Sequence, residues 1–167
     1  NDARVVIAAN GLPTLPAAYG TDLGIVFKPA DNLLINAALW YIYLQQEYVY
    51  GGDGGSVDFS GRTRRLGFDL SARYQPVKSL FFDADVNYAH GRSIDDPTGQ
   101  NYIPLAPVFS STAGITYIGK SGFNGSLRYR WLADRPANED YSLTAQGYFV
   151  NDLVLNYTKP GYEIGLT

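Results

Sequence analysis

Residues 79–92, SLFFDADVNYAHGR, alternate with a period of two: Leu80, Phe82, Ala84, Val86 and Tyr88 share one parity, and Phe81, Asp83, Asp85, Asn87 and Ala89 the other. That period marks a strand whose two faces meet different surroundings. It recurs at 64–75, where Leu66, Phe68, Leu70, Ala72 and Tyr74 oppose Arg65, Gly67, Asp69, Ser71, Arg73 and Gln75. At 122–133, Phe123, Gly125, Leu127, Tyr129 and Trp131 oppose Asn124, Ser126, Arg128 and Arg130. Shorter versions set Tyr19, Leu23, Ile25 and Phe27 against Asp22, Gly24 and Lys28, and Tyr162, Ile164 and Leu166 against Glu163, Gly165 and Thr167. Two segments depart from the rule. In 33–50, Trp40, Ile42 and Leu44 fall on the polar parity, and in 147–158 Val150 and Val154 do so while Asn151 falls on the apolar one. Together the pattern predicts strands over 19–28, 33–50, 62–75, 79–91, 106–119, 122–133, 147–158 and 161–167, with no helical periodicity between them. The chain reads as all-β and antiparallel.

One strand of this kind fits a soluble fold, with its polar face in water and its apolar face on a core. It fits a membrane barrel equally well, with the apolar face in lipid and the polar face lining a lumen. The connections separate the two. PADN (29–32), PVK (76–78), KSG (120–122) and KPG (159–161) are short, and GGDGGSVDFSG (51–61), RSIDDPTGQNYIPL (92–105) and DRPANEDYSLTAQ (134–146) are long. Short and long take turns, which puts all short turns at one end of an up-and-down sheet and all long loops at the other, as in outer-membrane barrels. Soluble up-and-down barrels have no need of that asymmetry. The charged residues in mid-strand also describe a wet interior. Tyr41, Tyr43, Tyr74, Tyr88, Tyr117, Tyr129, Trp131 and Tyr157 lie towards strand ends on apolar parities, where an interfacial aromatic girdle would place them. The alternative is the ordinary preference of tyrosine for strands.

Composition narrows the picture further. Charged residues make up 17% of the 167-residue chain, against about a quarter in an average soluble domain. A net charge of -3 supplies no electrostatic drive towards nucleic acid. No cysteine is present to form disulfides or thiolate metal sites. With no methionine and a start at NDARVV, the chain is expected to lack the beginning of its gene product. No run of 18 apolar residues occurs, which excludes a spanning helix and leaves a spanning barrel untouched.

The runs LPAAYGTDLGIVFKPADNLLINAALWYIYLQQEYVYGGDGG, SGRTRRLGFDLSARYQPVKSLFFDADVNYAHGR, NYIPLAPVFSSTAGITY, GSLRYRWLADRPANED and GYFVNDLVLNY together resemble the carboxy-terminal part of a TonB-dependent outer-membrane receptor barrel. The resemblance covers essentially the whole chain and carries no catalytic signature. It implies that residues 1–167 form a transmembrane β-barrel segment, about eight strands of a larger barrel of the 22-stranded type, without its plug domain. It also implies a bacterial outer-membrane location and TonB-dependent uptake of a scarce nutrient, foremost a ferric siderophore, with no enzyme activity and no cofactor. The implied partners are outer-membrane lipid, the plug and remaining strands of the parent chain, the TonB complex acting through the amino-terminal region, and the ligand. Eight strands cut from a larger cylinder would either sit in a larger assembly, close on themselves, or pair edge to edge. Two other classes stay open at this point: a small structural or adhesive outer-membrane barrel without transport, and a soluble β-barrel binding protein.

Candidate chemistry is sparse. GGDGG at 51–55 followed by Asp58 suggests a calcium-binding glycine repeat, but such sites need tandem copies, and a glycine cluster between strands is first a turn. His90, the one histidine, sits on the apolar parity near the outer rim, which suits a rim residue better than a catalytic base. No metal site is expected. The wall charges Asp69, Arg73, Asp83, Asp85, Arg128 and Arg130 either pair across strands or steer a charged solute. The loop LADRPANEDYS (132–142) gathers Asp134, Arg135, Asn138, Glu139, Asp140 and Tyr141 at the outer mouth, where an arriving ligand would meet them. Asp2 and Arg4 are further loop candidates.

Overall fold

The computed structural model describes residues 16–51, 56–59 and 61–167, without the side chains of 48–60. Twelve strands follow in chain order: β1 (Ala18–Ala30), β2 (Leu33–Leu44), β3 (Tyr48–Gly51), β4 (Ser56–Phe59), β5 (Thr63–Val77), β6 (Leu80–Ser93), β7 (Phe109–Ile118), β8 (Phe123–Leu132), β9 (Arg135–Pro136), β10 (Thr144–Ala145), β11 (Tyr148–Lys159) and β12 (Tyr162–Leu166). Eight of them form one sheet in the order β1-β2-β5-β6-β7-β8-β11-β12, each antiparallel to its neighbours. These are the eight strands that the alternation predicts. β1 and β12 are the edges and do not pair with each other, so the sheet is an open arc and not a closed eight-stranded barrel.

The long segment expected at 33–50 divides. The alternation lapses at Gln45, Gln46 and Glu47, and beyond that break β3 and β4 form a separate hairpin inside the first long loop. In the same way β9 and β10 pair within the third long loop. The short turns stay short. At one of them Gly122 has φ of 96°, and a Cβ there would stand 2.1 Å from the Thr158 carbonyl oxygen, so only glycine closes that corner.

Side chains sort by parity onto two faces. One carries Leu23, Ile25, Leu39, Phe68, Leu70, Ile115, Leu127 and Leu153, all exposed. Its aromatic rings pair across strands in two bands. Towards the long loops lie Tyr19–Tyr43, Phe68–Tyr88, Phe109–Trp131 and Tyr129–Phe149; towards the short turns lie Tyr74–Phe82, Tyr117–Phe123 and Tyr157–Tyr162. The bands are six positions apart on β5 (Phe68 to Tyr74) and eight on β7 (Phe109 to Tyr117). At ~3.3 Å per residue they lie ~20–26 Å apart along the strand.

The other face holds the mid-strand charges, and it makes room for one of the residues that depart from the pattern. Trp40 lies on this polar face opposite Gly67. A Cβ on Gly67 would stand 2.3 Å from the indole Cζ2, so the glycine makes the hollow the ring fills. Val150 and Val154 lie opposite Arg130 and Ser126 on this same face. Asn151 stands exposed among the apolar side chains on the other. Among the described residues the buried apolar side chains outside glycine are Ile103, Pro104 and Pro136, and all belong to the long loops.

Candidate functional site

The strand register builds a lattice of charge on the polar face. On β5, Arg73 donates through Nη2 to both carboxylate oxygens of Asp85 on β6, at 2.8 and 3.0 Å. Asp83, two residues earlier on β6, pairs with Arg128 on β8, reaching across β7. The residue between them is Gly114, whose missing side chain clears the path: a Cβ there would stand 3.1 Å from both Arg128 Cζ and Asp83 Oδ1. Arg130 on β8 pairs with Asp152 on β11 at 3.1 Å. Asp69 accepts a hydrogen bond from Asn87 at 2.8 Å, and Asn36 donates to Ser71 at 3.0 Å. Partly exposed pairs of this sort contribute about 0.2–1 kcal/mol each. Arg73, Arg128 and Arg130 are thus each balanced by a carboxylate on the wall, and Asp69 is held by the neutral Asn87. The arrangement needs Asp152 and Gly114, which sequence reading missed.

Nearer the long loops Glu47 ties the wall to the first loop. It accepts from Thr63 Oγ1 at 2.5 Å and pairs with Arg65, and its backbone N–H donates to the Gly61 carbonyl at 3.0 Å. Thr63 is fully buried there. The lapse in alternation at 45–47 is the one signal of this role in the sequence.

The second and third long loops hold each other. Tyr102 N–H donates to the Glu139 carbonyl at 3.0 Å and Leu105 N–H to that of Pro136 at 2.8 Å, while Ser93 N–H donates to the Asn101 carbonyl within the second loop at 2.9 Å. The second loop folds back over the polar face until Ile103 Cδ1 stands 2.9 Å from where a Gly91 Cβ would be. Arg92 lies over the Tyr102 ring at 4.0 Å, and that ring meets Tyr141 at 5.2 Å. Leu105 (φ 60°) and Tyr141 (φ 58°) adopt left-handed backbone without being glycine, so each loop carries local strain where the two meet.

The six loop residues singled out from the sequence divide by what they touch. Asp134 accepts from Gly147 N–H at 2.7 Å; Asn138 donates to Ser142 Oγ at 2.7 Å and accepts from Leu143 N–H at 3.0 Å; Asp140 accepts from Ser142 N–H at 2.9 Å. Those three shape the loop. The Ser142 backbone and hydroxyl hydrogen bonds hold the Asp140 carboxyl below its ordinary value. Glu139 is exposed, Tyr141 is exposed beside Tyr102, and Arg135 keeps a buried Nη1 with no hydrogen-bond partner. Opposite them Asp95 accepts from Arg62 Nε at 2.9 Å and from its backbone N–H at 2.8 Å, and those bonds lower its pKa. Among the described residues no three or more His, Cys, Asp or Glu side chains converge as metal ligands. Asp2, Arg4, Asp53 and the side chain of Asp58 lie outside the described residues.

The chain resembles solved structures at low identity. It covers 90% of its length on 25% of the ferric citrate transporter FecA in the unliganded form, with a TM-score of 0.72 and 17% identity. It covers 84% of its length on 22% of the ferric yersiniabactin uptake receptor FyuA from Yersinia pestis, with a TM-score of 0.68 and 15% identity. The copper transporter OprC gives 84% and 22%, with a TM-score of 0.65 and 20% identity. The chain thus spans about a quarter of the length of these structures. No curated protein matches the sequence. Residues 8–167 match the family described as TonB dependent receptor-like, beta-barrel. With that match on an eight-stranded sheet of alternating short turns and long loops, the chain belongs to the TonB-dependent receptor β-barrel family.

Proposed function

We propose that this chain supplies wall and outer loops to an outer-membrane receptor that imports a scarce nutrient, foremost a ferric siderophore, by coupling to TonB. The observation that carries this reading is the division of labour at the mouth. The wall arginines Arg73, Arg128 and Arg130 are taken up by Asp85, Asp83 and Asp152, whereas Glu139 and Tyr141 stand exposed in the third loop and Arg135 keeps a buried Nη1 with no hydrogen-bond partner. Family membership supports transport by the whole receptor, and the names of the structural neighbours support an iron-loaded ligand. In this placement the apolar face and its two aromatic bands meet acyl chains, and the charged face lines the lumen. Residues 1–167 act as a barrel segment, and the plug, the remaining strands and the TonB contact lie elsewhere in the parent chain.

The proposal is tested in a strain deleted for the intact receptor and complemented with variants. Arg135→Ala, Glu139→Ala and Tyr141→Ala should each weaken uptake of the labelled ferric siderophore by about 1–2 kcal/mol, a factor of about 5–30 in half-saturating concentration. Asp134→Ala should act only through loop shape. Iron uptake and iron-limited growth unaffected by deletion of the receptor would overturn the reading.

A further inference from the structure

A small cavity lies where the second loop folds back onto the wall. It measures about 40 Å³, and its lining includes Arg65, Gly91, Arg92, Ile103, Val108 and Pro136. Gly91 opens its floor: Arg65 Nε stands 3.7 Å, and Ile103 Cδ1 2.9 Å, from where a Cβ on that residue would be. A water needs ~10–15 Å³ of such space and a drug-sized ligand ~300–1,000 Å³, so the cavity has room for one small guest only.

The cavity offers hydrogen-bond donors. Arg65 holds Glu47 through Nη2, but its Nε–H is buried with no hydrogen-bond partner, which costs about 1–3 kcal/mol while nothing meets it. Arg92 turns one face of its guanidinium to Tyr102 at 4.0 Å and donates Nη1 to the Gly91 carbonyl at 2.7 Å. It pairs with no carboxylate among the described residues. The acceptors around the cavity are already engaged. The Val108 carbonyl takes Ala89 N–H at 2.9 Å, the Pro136 carbonyl Leu105 N–H at 2.8 Å, and the Ile103 carbonyl Ala106 N–H at 3.3 Å. A water here would have protons with no free acceptor, whereas an anion only accepts. Leu105, between the lining residues and in left-handed backbone at φ 60°, shows that the loop is held there against local strain.

We infer that this cavity is a site for a single chloride ion, held by Arg65 Nε–H and the Arg92 guanidinium, which pins the second loop to the wall. The site is separate from nutrient capture, because it rests on the mouth's geometry and is too small for a siderophore.

The test uses the intact receptor purified in neutral detergent. Crystals grown with bromide in place of chloride should show an anomalous peak in the cavity. In solution, amides of 94–108 should exchange about tenfold more slowly in about 100 mM chloride than in gluconate of equal ionic strength, as a dissociation constant of about 10 mM gives. Arg65→Lys keeps a charge for Glu47 but removes the Nε–H, and Arg92→Gln removes the unpaired charge. Each should abolish the difference between the two salts, and Arg92→Lys should keep part of it. If these variants do not fold, the bromide peak in the wild-type receptor decides alone. Equal exchange in both salts, a cavity holding water without bromide, or a carboxylate from another part of the parent chain seated in it would each overturn the site.

Discussion

The wall and the mouth of this chain are held together in different ways. In the wall the contacts follow from the strand register, most of them with a neighbour on the next strand, as Phe68 with Tyr88, Arg73 with Asp85 and Trp40 over Gly67, and one, Asp83 with Arg128, a strand further. In the mouth the contacts join loops whose residues are far apart in sequence, as where Tyr102 meets Glu139 and Tyr141. Among the described residues the buried apolar side chains Ile103, Pro104 and Pro136 are in the mouth as well. Among the described residues the wall is thus a sheet with an apolar and a charged face and no buried apolar core of its own, and the small core lies under the loops. A substitution in the wall should be judged by which face it lands on, and one in the mouth by whether both loops feel it.

The largest effect should come from putting the same charge on the two faces at adjacent positions. Leu127 and Ser126 are neighbours on β8, the first on the apolar face four positions from both Phe123 and Trp131, the second on the polar face opposite Thr116. Leu127→Arg should cost about 2–4 kcal/mol of folding free energy in a bilayer, the range for arginine near the midplane of a barrel's lipid face. Ser126→Arg should stay within about 1 kcal/mol, since it enters a wet wall. Denaturant titration of the intact receptor folded into liposomes gives both values. Equal costs would mean that the two faces do not meet lipid and water.

A smaller, more local effect should follow from Tyr102→Ala, which removes the ring between Arg92 and Tyr141. An aromatic pair and a cation–π contact together contribute about 1–2 kcal/mol. Amides in 94–108 and in 133–147 should then exchange about 5–30 times faster, while those of β5 and β6 keep their protection. Faster exchange in only one loop would show that the backbone bonds between them hold without the rings.

How much of this was legible beforehand follows the same division. The period of two located all eight strands of the sheet and both faces, because a strand's side chains must alternate whatever the tertiary contacts. It could not give Trp40 a reason, since the hollow at Gly67 exists only once β2 lies beside β5. Nor could it show that Asp83 reaches over β7 to Arg128, a pairing that depends on Gly114 falling between them. At the mouth, Asp134, Asn138 and Asp140 were visible as a polar cluster. That they shape the loop depends on backbone N–H groups at Gly147, Leu143 and Ser142, positions set by the turn and not by residue type. Glu47, Asp95 and Tyr102 were missed for the same reason, as their partners lie across long loops with no periodicity to announce them.

The smallest effect is also the sharpest test of how the mouth loops are held. Asp95 and Asp140 are exposed carboxyls whose pKa lies below the ordinary value of 3.8, Asp95 chiefly through hydrogen bonds from the Arg62 side chain and Asp140 chiefly through the Ser142 backbone N–H. A carboxyl with a depressed folded pKa adds stability that is complete above its unfolded value and is lost as pH falls through the folded one. Loop order should therefore hold from neutral pH down to about the ordinary carboxylate range and weaken only below it. Carbon chemical shifts of labelled aspartate carboxyls, assigned with Asp95→Asn and Asp140→Asn, should show both groups titrating below 3.8. Added salt then separates them. Asp95 faces a charged partner and should move up towards its ordinary value, whereas Asp140 is held by neutral donors and should move less. Equal movement of the two would mean that the net field of the mouth, and not these individual bonds, sets their ionisation.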